Sequence, residues 1–468
     1  MLFETVTPEE CGVRSEDILS FIDCLCAAEP DQESHALLLI RHGKLLAEGY
    51  FSPYRQDLAH NLFSISKTFT STAVGFAVSE GYFGLDDSLG ELLPMPDGAA
   101  EGVADITIRN LLTMSTGQAG EPVHAGGASR YDIEDWATAF LQQELKWPSG
   151  TMFQYNGFAS YMLSYLIYQK TGQNLIDYLQ PRLFEPLDIP VPFHSKDARG
   201  IFIGFSSMRL TARDLAKMGQ LYLQNGVWEG KQLLPEGWVE LATQRHIDTS
   251  HVTTGEDWNQ GYCFHFWRGR HNTFRFCGAF GQMCVVMPDY DAIFVTQSGF
   301  DNDKIKYILE CFYDKILFLM QEEPFQPNPE AYDALQKRLK KLSLLERYST
   351  VSPLADRIDG RKFQLEPNKL YDSVSFAFAG DTCHVTLFGD QNLVFEAGLK
   401  VPCLSESLHS HLVAIEKEDF ATLSSTAYWS DPHTFVITAR LLPTQTILRV
   451  TVDVKANVAM VQTIRGNL

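Results

Sequence analysis

The sequence predicts an α+β fold, in which an antiparallel sheet of about five strands is flanked by helices and followed by an all-β domain. In residues 1–322, runs with the alternation of strands lie towards both ends, and a long stretch with helical spacing separates them. In residues 357–468, short alternating runs follow one another with turn residues between them. One sheet built from both ends of the first part, with a helical lobe inserted, is the economical arrangement.

The N-terminal part is predicted to begin with a helix and a hairpin. Apolar spacing over residues 15–27 indicates the helix, with Ser15 as its N-cap. Residues 36–51 are typical of two strands joined by a turn near Gly43. A second helix starts near residue 63, and the apolar spacing from about 105 to 247 remains mostly helical.

Three aromatic or β-branched runs, at 261–269, 273–278 and 281–299, predict three antiparallel strands, and residues 304–320 an amphipathic helix. Residues 323–356 turn polar, with three prolines before Tyr332, which predicts a linker and a bracing helix. After residue 357, nine short strands, one of them at 411–417, predict a C-terminal barrel or sandwich.

Charge and cysteine content narrow the function classes. The formal net charge of −20 disfavours nucleic acid and anionic membranes as partners. We find no window of about 18 apolar residues that predicts a membrane span, and no basic-then-apolar opening that predicts a signal peptide, so a cytoplasmic protein is expected. Nine scattered cysteines without a CxxC predict reduced thiols rather than a disulfide framework. Nothing resembles a metal site or a nucleotide loop, so we expect no cofactor.

The stretch LFSISKTFTSTAVGF, residues 62–76, places a serine three residues before a lysine inside an apolar run. On a helix, Ser64 and Lys67 share one face. A serine hydroxyl needs a partner that takes its proton, and an amine can do so only where burial lowers its pKa. The apolar neighbours provide that setting, so the pair predicts a nucleophile and its base. S-x-x-K alone is a common tetrapeptide.

Longer segments carry a resemblance. FSISKTFTSTAVGFAVSEGYFGLDDSL is similar to the nucleophile segment of the serine β-lactamase and penicillin-binding-protein superfamily, closest to class C β-lactamase-like serine hydrolases, which include esterases and D-amino-acid peptidases. ITIRNLLTMSTG, PSGTMFQYNGFASYM and LTARDLAKMGQLYLQNG are similar to later family segments, in matching order over about residues 5–320. The resemblance implies a β-lactamase/transpeptidase-like fold and an acyl-enzyme on Ser64.

The family's second motif is Tyr-x-Asn. Tyr155 matches its tyrosine, so the resemblance gives Tyr155 a share in proton transfer beside Lys67. The asparagine is displaced by one position, and Asn156 is the candidate that substitutes for its contact with the substrate.

The third motif is usually Lys-Thr-Gly or His-x-Gly. Gly278 aligns with its glycine, but no basic residue stands where the Lys or His would be, which argues against typical recognition of a substrate carboxylate. Arg275 is adjacent, and strand alternation points it away from the face of Phe276. The backbone N–H groups of Ala279 and Ser64 are the candidate oxyanion hole. Gln282 is a further candidate substrate contact.

We therefore expect a serine hydrolase acting on an ester or amide of a small-molecule or peptide substrate. The alternative is a binding or scaffold protein that keeps the fold and has lost turnover, since the second and third motifs are altered. A Ser-His-Asp triad using His60, His265 or His271 is disfavoured, because no GxSxG surrounds a serine. The sequence leaves a homodimer open.

Overall fold

The computed structural model describes residues 3–29, 31–122, 133–252, 254–344, 354–368, 370–408 and 420–465. Its strands are β1 (Glu4–Thr5), β2 (Glu33–Arg41), β3 (Lys44–Tyr50), β4 (His60–Asn61), β5 (Arg209–Leu210), β6 (Val227–Trp228), β7 (Lys231–Gln232), β8 (Trp267–Arg268), β9 (Phe274–Gly278), β10 (Gln282–Met287), β11 (Ala292–Gly299), β12 (Lys362–Gln364), β13 (Tyr371–Ala379), β14 (Thr382–Gly389), β15 (Leu393–Gly398), β16 (Cys403–Leu408), β17 (Phe420–Asp431), β18 (Thr434–Leu441), β19 (Ile447–Asp453) and β20 (Val458–Ile464). Its α-helices are α1 (Ser15–Cys26), α2 (Ser66–Ser79), α3 (Leu89–Leu92), α4 (Ile108–Leu112), α5 (Trp136–Leu141), α6 (Gly157–Thr171), α7 (Leu175–Leu179), α8 (Ala212–Leu223), α9 (Trp238–Thr243), α10 (Lys306–Lys315), α11 (Pro329–Leu339) and α12 (Ala355–Ile358).

A central sheet of order β1-β3-β2-β11-β10-β9-β8 organises the first part of the chain. Its pairs are antiparallel except β1 with β3. Neighbouring residues of β11 face opposite sides: Ile293 lies against Gly219 of α8, and Phe294 packs on Phe21 of α1, with ring centroids 5.4 Å apart. Helices thus cover both faces, which explains why the central strands are buried throughout.

The α+β architecture with a helical lobe between β3 and β8 is confirmed. The hairpin turns at Gly43, as predicted. The prediction of a single strand over 281–299 is wrong, because the turn Pro288–Tyr290 and a left-handed Asp291 divide the run into β10 and β11. Ser15 is the first residue of α1 rather than its N-cap, which is Arg14.

The C-terminal all-β region forms one sheet of order β12-β13-β14-β15-β17-β18-β19-β20, with β16 paired to β17. Its first and last strands meet where Leu365 pairs with Ala459. The strand predicted at 411–417 lies outside the described residues, and β16 was not predicted. Across the described ranges, no helix has both the length and the apolar character needed to span a membrane.

The C-terminal sheet is joined to the central sheet through buried polar contacts. The Arg440 guanidinium lies 3.0 Å from a Glu33 carboxylate oxygen, with both side chains largely buried. In the turn that follows β18, the carbonyl oxygen of Pro443 accepts a hydrogen bond from the backbone N–H of Asn61 at 2.7 Å. The Tyr54 hydroxyl donates to the Thr444 carbonyl at 3.1 Å. These bonds place the turn directly against the segment that leads to Ser64.

A disulfide between Cys24 and Cys311 links α1 to α10. The prediction of reduced cysteines is therefore wrong for this pair. The two residues are 287 positions apart, and only the packing of α1 on α10 brings them together, so their spacing in the sequence carries no signal.

Lowering the pH from 7.5 to 4.5 is expected to reduce the free energy of unfolding, partly through His35 and His60. These buried rings are hydrogen-bonded, with 2.9 Å between Nδ1 of His35 and Nε2 of His60. Burial lowers the pKa of His35 to about 4 and that of His60 to about 3. Below about 6.5 the unfolded chain binds protons that the folded chain excludes, so stability falls as the pH falls. Each histidine contributes roughly 2 kcal/mol to that loss.

Urea unfolding at both pH values measures this loss. The variant His60→Asn should show a smaller difference between the two pH values than the parent. The matched control His433→Asn removes an exposed ring and should retain the parent's difference. An unchanged difference in His60→Asn would contradict the assignment.

Candidate active site

Ser64 lies on a single 3₁₀ turn, Phe63–Ile65, immediately before α2. Phe63 has φ +49°, a left-handed conformation that is uncommon for a bulky side chain. The Asn61 side chain holds it there, because its Oδ1 accepts the Phe63 N–H at 3.0 Å. The turn leaves Ser64 partly exposed, while the first three turns of α2 behind it are buried.

Lys67 places a buried amine beside the Ser64 hydroxyl, as the proposed proton transfer requires. Its Nζ lies 2.9 Å from Ser64 Oγ and 2.9 Å from the carbonyl oxygen of Phe205. Its exposed fraction is 2%. One helical turn separates the two catalytic candidates, as the i, i+3 spacing predicts, and the Phe205 carbonyl fixes the amine at the distance of a direct proton transfer.

Tyr155 joins the pair from the segment before α6. The Lys67 Nζ lies 4.8 Å from the centroid of its ring. Burial raises the pKa of the Tyr155 phenol, and a hydrogen bond with Ser64 opposes that rise. The phenol is therefore protonated at neutral pH, which suits a group that relays or donates a proton better than one that takes the first proton from serine.

Two predicted substrate contacts are placed elsewhere. Asn156 is fully buried and caps α6: its Oδ1 accepts the Phe158 N–H at 2.9 Å, and its Nδ2 donates to the Gly120 carbonyl at 2.9 Å. Gln282 is also fully buried, and its Nε2 donates to the carbonyls of Ala279 and Ser298. Neither side chain lines the cavity. Asn156 orients the start of α6, and Gln282 supports the Ala279 turn.

Gly278 ends β9 in close contact with the nucleophile segment. A Cβ on Gly278 would lie 2.3 Å from the Leu62 carbonyl oxygen. Ala279 begins the 3₁₀ turn Ala279–Gly281, and both residues line the cavity with Ser64. The absence of a side chain at Gly278 thus lets β9 approach the serine turn, as a backbone oxyanion hole requires.

Substituting Gly278→Ala is expected to lower the acylation rate of Ser64 by at least about 10-fold, because the added methyl must push β9 away from Leu62 and displace the Ala279 N–H. Pre-steady-state hydrolysis of a nitrophenyl ester measures the rate. The control Gly43→Ala adds a methyl in open space, at a positive φ far from the cavity, and should leave the rate within about 2-fold. Parent-like acylation in Gly278→Ala would exclude the close approach from the mechanism.

A cavity of about 400 Å³ opens beside Ser64. Its described lining residues are Ser64, Phe153, Gln154, Tyr155, His251, Val252, Thr254, Trp258, Trp267, Cys277, Gly278, Ala279, Asn302 and Ile305. Sequence reasoning did not identify Trp258, Trp267 or His251 as site residues. The turns that bring these side chains to Ser64 have no signature in the sequence.

The remaining candidates are structural. His265 is buried, with Nδ1 3.2 Å from the Lys67 carbonyl oxygen, and burial lowers its pKa to about 3. His60 pairs with His35. Arg275 is fully buried behind Trp258, as alternation along β9 predicts. Within the ranges that the structure describes, no cluster of three or more His, Cys, Asp or Glu side chains is placed to hold a metal ion.

Comparison with known proteins identifies a matching family and several relatives. The family model described as Beta-lactamase matches residues 27–302. A 6-aminohexanoate-dimer hydrolase of Paenarthrobacter ureafaciens is 27% identical over 257 residues, which span 51% of this chain and 64% of that relative's length.

Two solved structures share the fold. EstCE1, described as a hydrolase with promiscuous acyltransferase activity, has a TM-score of 0.54 at 18% identity, covering 64% of this chain and 99% of its own. The structure of SurE with D-Leu has a TM-score of 0.52 at 15% identity and covers 92% of this chain and 97% of its own, so the likeness extends into the C-terminal sheet. Because the family match spans more than half of the 468 residues, the chain belongs to the beta-lactamase family.

Proposed function

We propose that this protein is a serine hydrolase that cleaves an ester or amide through an acyl-enzyme on Ser64. The observation that carries the proposal is the buried amine of Lys67, 2.9 Å from Ser64 Oγ. A lysine is retained in such a place at a cost in desolvation, and a role in proton transfer accounts for that cost.

The geometry supports a defined sequence of proton transfers. Lys67, as the neutral amine, takes the Ser64 proton while Oγ bonds to the substrate carbonyl carbon. The N–H groups of Ser64 and Ala279 stabilise the oxyanion. Tyr155, hydrogen-bonded to Ser64 and close to Lys67, gives its proton to the leaving group and takes the proton that Lys67 received. Water then attacks the acyl carbonyl carbon and gives a proton to Lys67, and that proton passes to Ser64 Oγ as the acyl–Oγ bond breaks, which releases the acid and restores Ser64.

The printed names of the relatives support an acyl-transfer chemistry without deciding the substrate. One is a 6-aminohexanoate-dimer hydrolase and another a hydrolase with promiscuous acyltransferase activity. Both esterase activity and D-amino-acid or peptide hydrolysis therefore belong to the proposal. The organisation into a catalytic region at 1–322, a linker and bracing helix at 323–356 and a β domain at 357–468 is part of it too. A cytoplasmic location and a homodimer stay predictions from the sequence.

Labelling with a fluorophosphonate probe tests the proposal. We expect a single mass shift on the tryptic peptide that ends at Lys67, lost in Ser64→Ala. Ser66 lies on the same peptide but is fully buried, with its Oγ accepting the Met208 N–H at 3.2 Å. The control Ser66→Ala should therefore still be labelled. A folded parent protein that neither reacts with the probe nor hydrolyses nitrophenyl butyrate or a D-alanyl peptide would support the scaffold alternative instead.

A further inference from the structure

The cavity beside Ser64 has walls that are largely apolar. The rings of Phe153, Trp258 and Trp267 and the aliphatic side chains of Val252 and Ile305 line it, together with neutral polar groups such as Gln154, Thr254 and Asn302. Trp258 and Trp267 are 6% and 8% exposed, so both are fixed parts of the wall rather than surface side chains. Burying an acyl chain against such walls contributes about 0.8 kcal/mol per methylene group.

We propose, on the basis of the function proposed above, that this cavity selects a neutral, apolar acyl group and discriminates against acyl chains that carry a charge at their far end. The aromatic and aliphatic walls supply the attraction. The charges around those walls supply the discrimination, by different means for anions and for cations.

Among the described lining residues, an anionic acyl group would meet no lysine or arginine side chain to pair with. None of the described residues that line the cavity is lysine or arginine. Its one imidazole, His251, has Nε2 3.0 Å from the Phe153 carbonyl oxygen and donates there. A carboxylate entering this space would lose water without a charge partner, at a cost of several kcal/mol.

A guanidinium that packs against the wall is already engaged. Arg275 is fully buried and lies 4.6 Å from the Trp258 ring centroid. One of its terminal nitrogens donates to the Asp257 carbonyl at 2.9 Å. The Arg275 guanidinium thus packs on a ring of the wall and is held by the Asp257 carbonyl, and Arg275 is a positioning residue for the wall.

A cationic acyl group meets a different obstacle. Aromatic walls can bind ammonium groups through their ring faces, which makes a cation the strongest competing occupant. Here Trp258 already has the Arg275 guanidinium over its ring, 4.6 Å from the ring centroid. A second cation would be repelled by the first across the same ring. A neutral apolar group gains the burial of its surface without either penalty.

Three esters of matched chain length test the selectivity: p-nitrophenyl hexanoate, mono-p-nitrophenyl adipate and p-nitrophenyl 6-(trimethylammonio)hexanoate. We expect kcat/KM for the hexanoate to exceed both charged esters by at least about 10-fold. Trp258→Leu and Trp267→Leu should each lower kcat/KM for the hexanoate by about 5-fold or more, and should lower the ratio of the hexanoate value to the p-nitrophenyl acetate value, because the longer chain loses more contact with the walls. The control Trp147→Leu changes a partly exposed tryptophan outside the lining and should leave both values unchanged.

Each other result overturns the inference. Preference for the adipate would mean that a cation reaches the cavity, preference for the trimethylammonio ester would mean that the rings act as a cation cage, and equal rates would mean that the cavity does not select. In all three cases the esters still acylate Ser64, so the proposed function stands. If no ester reacts and Ser64 is not labelled by a fluorophosphonate, the proposed function fails, and the inference fails with it.

Discussion

Substituting Lys67→Met is expected to slow acylation of Ser64 by at least about 1,000-fold, close to the effect of removing the serine. When residues act as one proton-transfer unit, removing one of them costs nearly as much rate as removing all of them. Methionine fills the same buried space but has no lone pair to take the Ser64 proton. Lys67→Arg should be nearly as slow, since a guanidinium stays protonated. Stopped-flow measurement of nitrophenolate release from a short-chain ester gives the rate.

Lys170 provides the matched control. Its Nζ also donates to a backbone carbonyl, that of Leu92, at 2.8 Å. It lies near the C-terminal end of α6, about 20 Å along the helix from the N-terminal end that follows Tyr155. Lys170→Met should therefore acylate at the parent rate. A Lys67→Met protein that is folded and still acylates within about 10-fold of the parent would remove the lysine from the mechanism.

Substituting Arg440→Met is expected to lower the free energy of unfolding by about 3–5 kcal/mol, because it leaves the Glu33 carboxylate buried without its partner. Burial opposes the ionisation of Glu33, yet the Arg440 guanidinium and a hydrogen bond with His35 hold its pKa at about 2. Both Arg440 Nε and Nη2 lie within 3.3 Å of Glu33 oxygens. Urea unfolding at pH 7.5 measures the change.

An exposed ion pair of the C-terminal sheet is the control that shows whether the expected loss comes from burial of the charges. Lys400 and Asp381 lie 2.8 Å apart, with both side chains more than half exposed. Lys400→Met should cost less than about 1 kcal/mol. The double variant Glu33→Gln with Arg440→Met should recover part of the loss, since no ionised group is then left buried. Equal costs for Arg440→Met and Lys400→Met would show that the buried pair does not hold the two sheets together.

Local patterns were enough to predict much of the architecture. The hairpin at residues 36–51 follows from alternation around Gly43, and the position of α2 from the apolar run after Ser64. The sequence pattern does not predict the division of 281–299, although Pro288 and Asp291 are turn formers, because the apolar residues on either side dominate it. For β16, the serines and the glutamate within Cys403–Leu408 weaken the signal of a strand.

Some residues of the candidate site could be predicted from the sequence, and others could not. Ser64 and Lys67 share one motif and Tyr155 stands in a second, so the sequence predicts all three, and the structure brings them together. Asn156 illustrates the limit: its residue type suits a substrate contact and an N-cap equally well, and only the start of α6 decides between them. Trp258 reaches the cavity through turns whose geometry depends on distant packing, so its place could not be read from its neighbours in the chain.

The bond from the Asn61 N–H to the Pro443 carbonyl bears on any attempt to recombine this protein with its relatives. The same asparagine restrains Phe63 through its side chain, so one residue couples the far sheet to the conformation ahead of the nucleophile. A chimaera that exchanges the last hundred residues must reproduce a carbonyl at that point. Without it, we expect slower turnover from a protein whose own catalytic residues are untouched.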